Sequence, residues 1–427
     1  MPKLVKLTWF PSAPSGLPRR DSRGCEYEAY VPDPIVGREV SLSGATAADV
    51  ADAERAVQRL NRETRSLADS EAVARLLLRA EAVASSKIEG LEIGARRLLR
   101  AQLATTLGDD GSDVTATEVL NNIEAMRWAV DALIDVEQIT VDHLLEIHRR
   151  LMEGTRLEQH AGKLREQQNW IGGSSYNPCS ATFVPPPWER VPDLFEDLCE
   201  FCNGDDLPAV AQAALAHAQF ETIHPFVDGN GRTGRALIHV ILRRRGLAPV
   251  VVPPVSLVLA TWSEDYVKGL TATRYRSDAS SGNAIDGLDY WVGLFAAAMT
   301  RAVADAETYE QRIAEVQAAW RDALGRVRAN SAVDMLVRAL PGAPVITVQS
   351  AAALIGRSVQ AVNEATPRLV EAGVLTQMTV GRRNRAFEAR DLINAFTDLE
   401  RRLASPGGDT LHSPPERRVP QRRAAST

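Results

Sequence analysis

The sequence predicts a mainly α-helical protein in two units: a large helical bundle carrying one small β-hairpin, then a smaller unit of short helices and a second hairpin. Three observations carry this. Apolar residues recur at three- and four-residue spacing in successive segments between Thr46 and Val327, the period of helices that bury one face. A polar, glycine-rich stretch, His224-Pro-Phe-Val-Asp-Gly-Asn-Gly-Arg-Thr-Gly-Arg235, interrupts two of those segments. Beyond Ser331 the helical runs shorten, and a basic turn separates two short strand-like runs. At 427 residues the chain is long enough for two or three domains, and 45% hydrophobic content supplies their cores. Its net charge of −6 gives no global attraction to nucleic acid or anionic lipid, so any such contact is local. No apolar run is long enough to span a bilayer. The opening residues, MPKLVKLTWFPSAPSG, lack the apolar centre of a signal peptide. The expectation is a cytoplasmic protein without membrane contact.

Residues 1–38, rich in Pro, Gly and charge, read as an extended arm. Thr46–Leu60 and Leu67–Ser86 read as helices of an N-terminal region, 39–110. The second helix ends in Ser85-Ser-Lys-Ile-Glu-Gly90, so Ser85 and Glu89 share one face and Gly90 fits the terminus. As a surface residue Glu89 would oppose the helix dipole there. Glu92–Thr106 continues helical, Leu107–Val114 is a loop, and Thr115–Leu133 and Val141–Leu151 open a region 111–303. His143 and His148 read as packing residues. Asn169–Ile171 and Thr182–Val184 flank a Gly/Ser/Asn turn and read as a hairpin. Val191–Asn203, Pro208–Thr222, Ala236–Arg245, Ser256–Thr273 and Asp289–Val303 complete the bundle. Asp305–Val327, within 304–330, reads as a charged connecting helix. Cys199 and Cys202 have Cys-x-x-Cys spacing, but no second pair lies nearby to complete a zinc site; helical periodicity makes them buried thiols.

The stretch 224–235 carries the chemistry. Pro225 ends the preceding helix and leaves His224 at the mouth of a loop. Gly229, Gly231 and Gly234 permit tight turning and close approach of a ligand. The loop feeds the N-terminus of the next helix, whose free N–H groups and dipole attract anions, and Arg232 and Arg235 add positive charge. This is a phosphate cradle with a base beside it and, in Asp228, a carboxylate suited to Mg²⁺. HPFVDGNGRTGR resembles the signature of the Fic family, HPFx(D/E)GNGRxxR, at every fixed position. The segment Ser85–Gly90 resembles that family's inhibitory motif, (S/T)xxxE(G/N), and the hairpin at 169–184 resembles its flap.

The resemblance implies a Fic-type helical bundle with a β-hairpin flap that holds a target segment by strand addition. It implies protein adenylylation, in which AMP passes from ATP to a Tyr, Thr or Ser hydroxyl of a target protein or of the chain itself. His224 would be the base. Asp228 would hold Mg²⁺. Gly229, Asn230, Gly231 and Gly234 would cradle the phosphates, Arg232 would hold the β-phosphate and Arg235 the γ-phosphate. Tyr266 would help wall the adenine pocket. Ser85, Glu89 and Gly90 would form the inhibitory motif, Glu89 pairing with Arg235. Relatives often dimerise, so a homodimer is one expected assembly. A Fic-fold enzyme that removes AMP is a further reading.

Residues 331–404 resemble a winged helix-turn-helix domain, with helices at Val333–Leu340, Val348–Leu354, Ser358–Val370 and Leu392–Leu403 and a hairpin Leu375–Val380/Ala386–Glu388 whose tip is basic. That resemblance implies DNA contact, and a regulator that uses the Fic domain as a nucleotide sensor is the alternative function. Pro367 should break or kink the recognition helix, and a protein-docking role stays open beside DNA. Residues 405–427 read as a disordered basic tail.

Overall fold

The computed structural model describes residues 1–10, 24–65, 70–106, 113–134, 136–380 and 384–403. Most of the expected 107–114 loop, the tip of the second hairpin at 381–383 and the 405–427 tail lie outside them. Where the sequence reads an arm, β1 (Lys3–Trp9) and β2 (Cys25–Val31) pair antiparallel, Lys3 opposite Val31 and Trp9 opposite Cys25. The prolines and glycine that masked this alternation are concentrated in the intervening 11–23. Cys25 forms a disulfide with Cys179, 154 residues away.

The bundle follows: α1 (Gly44–Arg65), α2 (Ser70–Ile88), α3 (Ala95–Thr106), α4 (Val114–Ala132), α5 (Val141–Met152), α6 (Val191–Asn203), α7 (Ala209–Ile223), α8 (Asn230–Arg244), α9 (Val255–Thr261), α10 (Ser263–Ala272) and α11 (Gly282–Leu324). Caps set several starts. Thr140 accepts from the His143 backbone, and the His143 ring accepts from the Thr140 backbone, so His143 is a capping residue. Every residue of α7 is buried, as befits the middle of a bundle; its alanines let α6, α8, α11 and α1 close around it. Expected as two helices, 289–303 and 305–327, α11 is one continuous helix. The shift from apolar to charged composition near 304 marks a change in how much of the helix is covered, and neither Gly nor Pro interrupts the helix there. Ser256–Thr273, expected as one helix, divides at Trp262 into α9 and α10.

The helix α2 is tied on several sides. Its Glu81, fully buried, lies 2.8 Å from Nε2 of His239 on α8 and accepts from the Ser256 backbone of α9 at 2.7 Å. Asn122 of α4 donates to the Ala82 carbonyl at 2.7 Å.

The C-terminal unit comprises α12 (Ala332–Ala339), β3 (Val345–Thr347), α13 (Val348–Ile355), α14 (Val359–Glu371), β4 (Thr376–Val380), β5 (Asn384–Glu388) and α15 (Arg390–Leu403), with the strands antiparallel in the order β3-β5-β4. The expected break at Pro367 does not occur. Val362, Ala365 and Leu369 bury one stripe of α14, Pro367 lies on the exposed side, and packing of that stripe outweighs the lost hydrogen bond. The unit shares a continuous apolar core with the bundle and contacts α2 through the turn Leu340–Gly342. Among the described residues no helix is long and apolar enough to cross a membrane.

Candidate active site

The helix α7 ends at His224, whose backbone is left-handed at φ 51°. Pro225 disfavours a right-handed helical residue before it, and a non-glycine residue in this region is uncommon. The turn is closed by Asn230: its side-chain oxygen accepts from the Phe226 backbone at 2.8 Å and its side-chain nitrogen donates to the Phe226 carbonyl at 2.9 Å. Both ends of the amide thus hold the turn, and the second N–H of its NH₂ group is left over. From α5, the His148 ring stacks on Phe226 at 3.8 Å between centroids. Its Nδ1 accepts from the Gly162 backbone, so Nε2 carries the proton donated to the Asp228 carbonyl at 3.1 Å. Burial holds His148 down at about 4, hence neutral. The packing role expected of it is joined to a hydrogen-bonded one.

The polar loop is shorter than the sequence suggests, because α8 begins at Asn230 and carries the rest of the signature in its first two turns. Of its three glycines only Gly229 is left-handed, at φ 71°. Gly231 is helical, and a Cβ there would run into the Glu89 carboxylate and the Arg235 guanidinium. Its service is close approach, not turning, and the same holds for Gly234 packed on Phe220.

Arg232 and Arg235 are almost wholly buried, with side chains 3% and 2% exposed. Glu89 bridges them. One carboxylate oxygen accepts from Arg232 Nε at 2.6 Å and the other from Arg235 Nη2 at 3.1 Å. Arg235 also donates to the Ser85 hydroxyl at 2.8 Å and the Ser85 carbonyl at 2.7 Å. The pairing expected with Arg235 is present, and the shorter bond goes to Arg232. Arg232 Nη2 further donates to Asp228 at 3.3 Å, and Glu118 of α4 lies 3.8 Å from Nη1, which is buried without a hydrogen-bond partner. Gly90 follows with φ 83°.

Beside this array the His224 ring turns Nδ1 inward, 3.8 Å from a Glu221 carboxylate oxygen. Burial, then the charges of Arg165 and Arg274, push His224 down to about 3; burial pushes Glu221 up to about 7. The imidazole is therefore neutral across the physiological range. Tyr266 is buried, with its hydroxyl 2.8 Å from His217 Nε2. It stands in a buried network under the turn.

A cavity of about 240 Å³ opens at Asp228 and Arg232, lined also by Glu118, Met152, Thr155, Arg156 and Leu157. Asp228 is half exposed on its rim. Among the described residues no cluster of three or more His, Cys, Asp or Glu could by itself hold a metal ion. Asp228, bonded to Arg232 through one oxygen, can offer one carboxylate ligand to a Mg²⁺ ion that takes its remaining ligands from phosphate and water, and the unpartnered Arg232 Nη1 suits a phosphate oxygen.

The expected hairpin is reduced to one antiparallel bridge, Ile171 to Phe183. Instead of a ladder, this segment is held by the Tyr30 N–H on the Val184 carbonyl at 2.9 Å, by the Cys25–Cys179 disulfide, and by Arg274 stacked 3.6 Å over the Phe183 ring. Sequence reasoning missed Glu118, Arg165, Glu221 and Arg274. Each comes from a segment far from 224–235 or lies inside an apolar helix, and nothing local marks it.

Residues 138–242 match the Fic/DOC family and residues 47–131 the Fic/DOC family N-terminal. The protein adenylyltransferase Fic of Drosophila willistoni is 34% identical over 158 residues, 36% of this chain and 30% of that protein. The protein adenylyltransferase fic-1 of Caenorhabditis elegans is 33% identical over 141 residues, 32% of this chain and 26% of that protein. The matches thus span less than a third of the length of these relatives. The crystal structure of a Fic family protein from Desulfovibrio desulfuricans G20 aligns with a TM-score of 0.50 at 22% identity, covering 82% of this chain and 97% of that one. The two share a fold.

Proposed function

Taking as premise that the chain belongs to the Fic family, we propose that it is a protein adenylyltransferase, held inactive by Glu89. One observation carries the reading. Two buried arginines on the first turns of a helix share a single carboxylate, beside a neutral, partly buried imidazole. With that carboxylate withdrawn, the arginines and the N-terminal N–H groups of α8 form an anion site in which only Arg232 keeps nearby carboxylates, Asp228 and Glu118. A triphosphate has the charge and reach to take its place.

In this reading His224 accepts the proton of a target Ser, Thr or Tyr hydroxyl on Nε2, since Nδ1 is turned toward Glu221. The hydroxyl oxygen forms a bond to the α-phosphorus of ATP as the bond to the bridging oxygen breaks, and diphosphate leaves. A neutral imidazole is the protonation state a general base needs. Arg232 and Arg235 bind the β- and γ-phosphates and hold the leaving group in line. Asp228 would hold Mg²⁺, which when bound neutralises charge on the phosphates. Glu89 prevents productive seating by occupying both arginines at once.

The segment 165–187 serves as the platform for the target backbone, and the C-terminal unit, read as a winged-helix domain, as a docking module for protein or DNA. A cytoplasmic site belongs to the proposal as well; the Cys25–Cys179 disulfide weighs against it, because cytosolic thiols are kept reduced. The test is incorporation of labelled AMP with Mg²⁺ by wild type, Glu89→Gly and Glu89→Gly/His224→Asn, alone and with cell lysate. Label on protein with the Glu89→Gly form only is the expected result. Absence of label in every form, with ATP still bound, would refute adenylyl transfer and favour nucleotide sensing.

A further inference from the structure

Arg165 is 2% exposed, and its guanidinium is surrounded by backbone carbonyls. Nε donates to His224 at 2.9 Å, Nη1 to Gln167 at 3.0 Å, and Nη2 to Pro186 at 2.6 Å and Ile223 at 3.4 Å. Its own backbone N–H donates to the Pro225 carbonyl at 2.9 Å. A charge buried in this way is costly compared with an apolar side chain of the same volume, so net stability alone gives no reason for a guanidinium here. The arrangement has a different property. Its acceptors belong to three separate stretches: the first limb of the flap segment at Gln167, the second limb at Pro186, and the catalytic turn at Ile223–Pro225. A planar fork with donors in fixed directions can hold three stretches in one geometry; an ammonium on a flexible stem cannot. The turn it grips contains the left-handed residue His224, a conformation that persists only where the surroundings impose it. Asn169 adds to the grip, donating to the Phe226 carbonyl at 3.0 Å and toward that of His224 at 3.5 Å.

We propose that Arg165 is the positioning residue that sets the base His224 in register with the flap, so that a hydroxyl on a segment lying along 165–187 meets the imidazole. This rests on the adenylyl-transfer reading and assigns the register between its base and its target platform. None of the hydrogen bonds of Arg165 involves Arg232, Arg235 or Asp228, so nucleotide binding should not depend on it. Its charge also helps hold the imidazole neutral.

The test uses the full chain carrying Glu89→Gly, with and without Arg165→Lys. Lysine keeps the charge and loses the fork. The expected result is a kcat for AMP transfer to protein lowered roughly ten- to a hundredfold, the scale of a misplaced catalytic group, with KM for ATP within about twofold of the parent. Histidine-labelled ¹⁵N spectra give a readout independent of turnover. The His224 signal, identified by its loss in His224→Asn, should shift in Arg165→Lys while that of His143 stays in place. Parent kcat in the lysine variant, or an unmoved His224 signal, would overturn the proposal. If the Glu89→Gly parent transfers no AMP, the functional reading fails, and the spectra still decide whether Arg165 sets His224. Should Arg165→Lys fail to fold, Asn169→Ala takes its place: a severalfold fall in kcat at unchanged KM supports the shared grip, and parent kcat overturns it.

Discussion

Replacing Glu89 by glycine should move activity and stability in opposite directions, and both magnitudes follow from the site. Glu89 makes two charge-assisted bonds, to Arg232 at 2.6 Å and Arg235 at 3.1 Å. Bonds of this kind contribute about 1.5–3 kcal/mol each. The carboxylate is 22% exposed, so the lower end applies, about 3 kcal/mol for the pair. On the proposed reading a nucleotide must displace that amount, and about 1.4 kcal/mol is tenfold. The initial rate of AMP incorporation at subsaturating ATP should therefore rise by roughly a hundredfold in Glu89→Gly. The same change strips two buried guanidinium groups of their shared counter-charge, a loss on the order of 3–5 kcal/mol when a buried pair is broken. Asp228 and Ser85 remain to soften it. Without nucleotide, the midpoint of thermal unfolding should fall by several degrees, at about 2–4 °C per kcal/mol for a domain of this size, and ATP with Mg²⁺ should restore it. Labelled AMP incorporation and thermal unfolding with and without ATP are the two assays. A lowered midpoint with no gain in incorporation would refute the reasoning, since Glu89 would then be a structural counter-ion and not a competitor of the nucleotide.

Four other outcomes are expected. His224→Asn, which keeps a residue tolerant of the left-handed region, should lower AMP transfer by about 10²–10⁴-fold with little change in thermal midpoint; transfer at parent rate would remove the base assignment. Because His224 is held at about 3, kcat should show no acid limb near pH 6.5, and such a limb in the pH profile would contradict a neutral base. Glu221, raised to about 7 from its ordinary 4.5, binds a proton in the folded chain that the unfolded chain has lost, so stability falls as pH climbs between these values. Above pH 7 the full cost, roughly 3 kcal/mol, is present, and Glu221→Gln should raise the midpoint over wild type at pH 8 and leave it unchanged at pH 4.5. Finally, Cys25→Ser opens a loop of 154 residues, whose closure contributes at most about 5 kcal/mol; the midpoint should drop in the variant, and reductant should lower wild type to the same level.

What the sequence made legible was chemistry written in contiguous or helically spaced residues. Glu89 could be read because Ser85 and Gly90 lie close to it in sequence, and Arg232 and Arg235 because they sit in one dense polar stretch. The helical bundle was legible for the same reason, one amphipathic stripe at a time. What escaped was contact between distant segments. Arg165 lies 59 residues before the carbonyl it holds, and Glu221 is one of several polar residues in a wholly buried helix. The Cys25–Cys179 pair has no spacing rule to reveal it. Local misreadings had local causes. Three glycines in six residues suggested a flexible loop, whereas two of them are helical and small because Glu89, Arg235 and Phe220 press against them. Pro367 predicted a break that tertiary packing of α14 overrides.

The way α2 is fixed constrains how Glu89 can be released. At its middle, Glu81 is bonded to α8 and α9, and Asn122 holds the next residue's carbonyl. Near its start, the Leu340–Gly342 turn of the C-terminal unit lies so close that a Cβ on Gly342 would stand 3.2 Å from the Ala72 Cα. To swing the helix would break a buried carboxylate's bonds and open a well-packed contact, each a loss of kcal/mol scale. The end is different. Helical geometry stops at Ile88, Glu89 lies one residue beyond, and Gly90, at φ 83°, faces open space. The inexpensive movement is therefore rotation of Glu89 out of the site about its own side chain and the Gly90 hinge, with α2 in place. On the adenylyl-transfer reading, a triphosphate arriving at Arg232 and Arg235 would compete with that side chain and not with the packing of a helix, which would keep the barrier to activation within the reach of nucleotide binding.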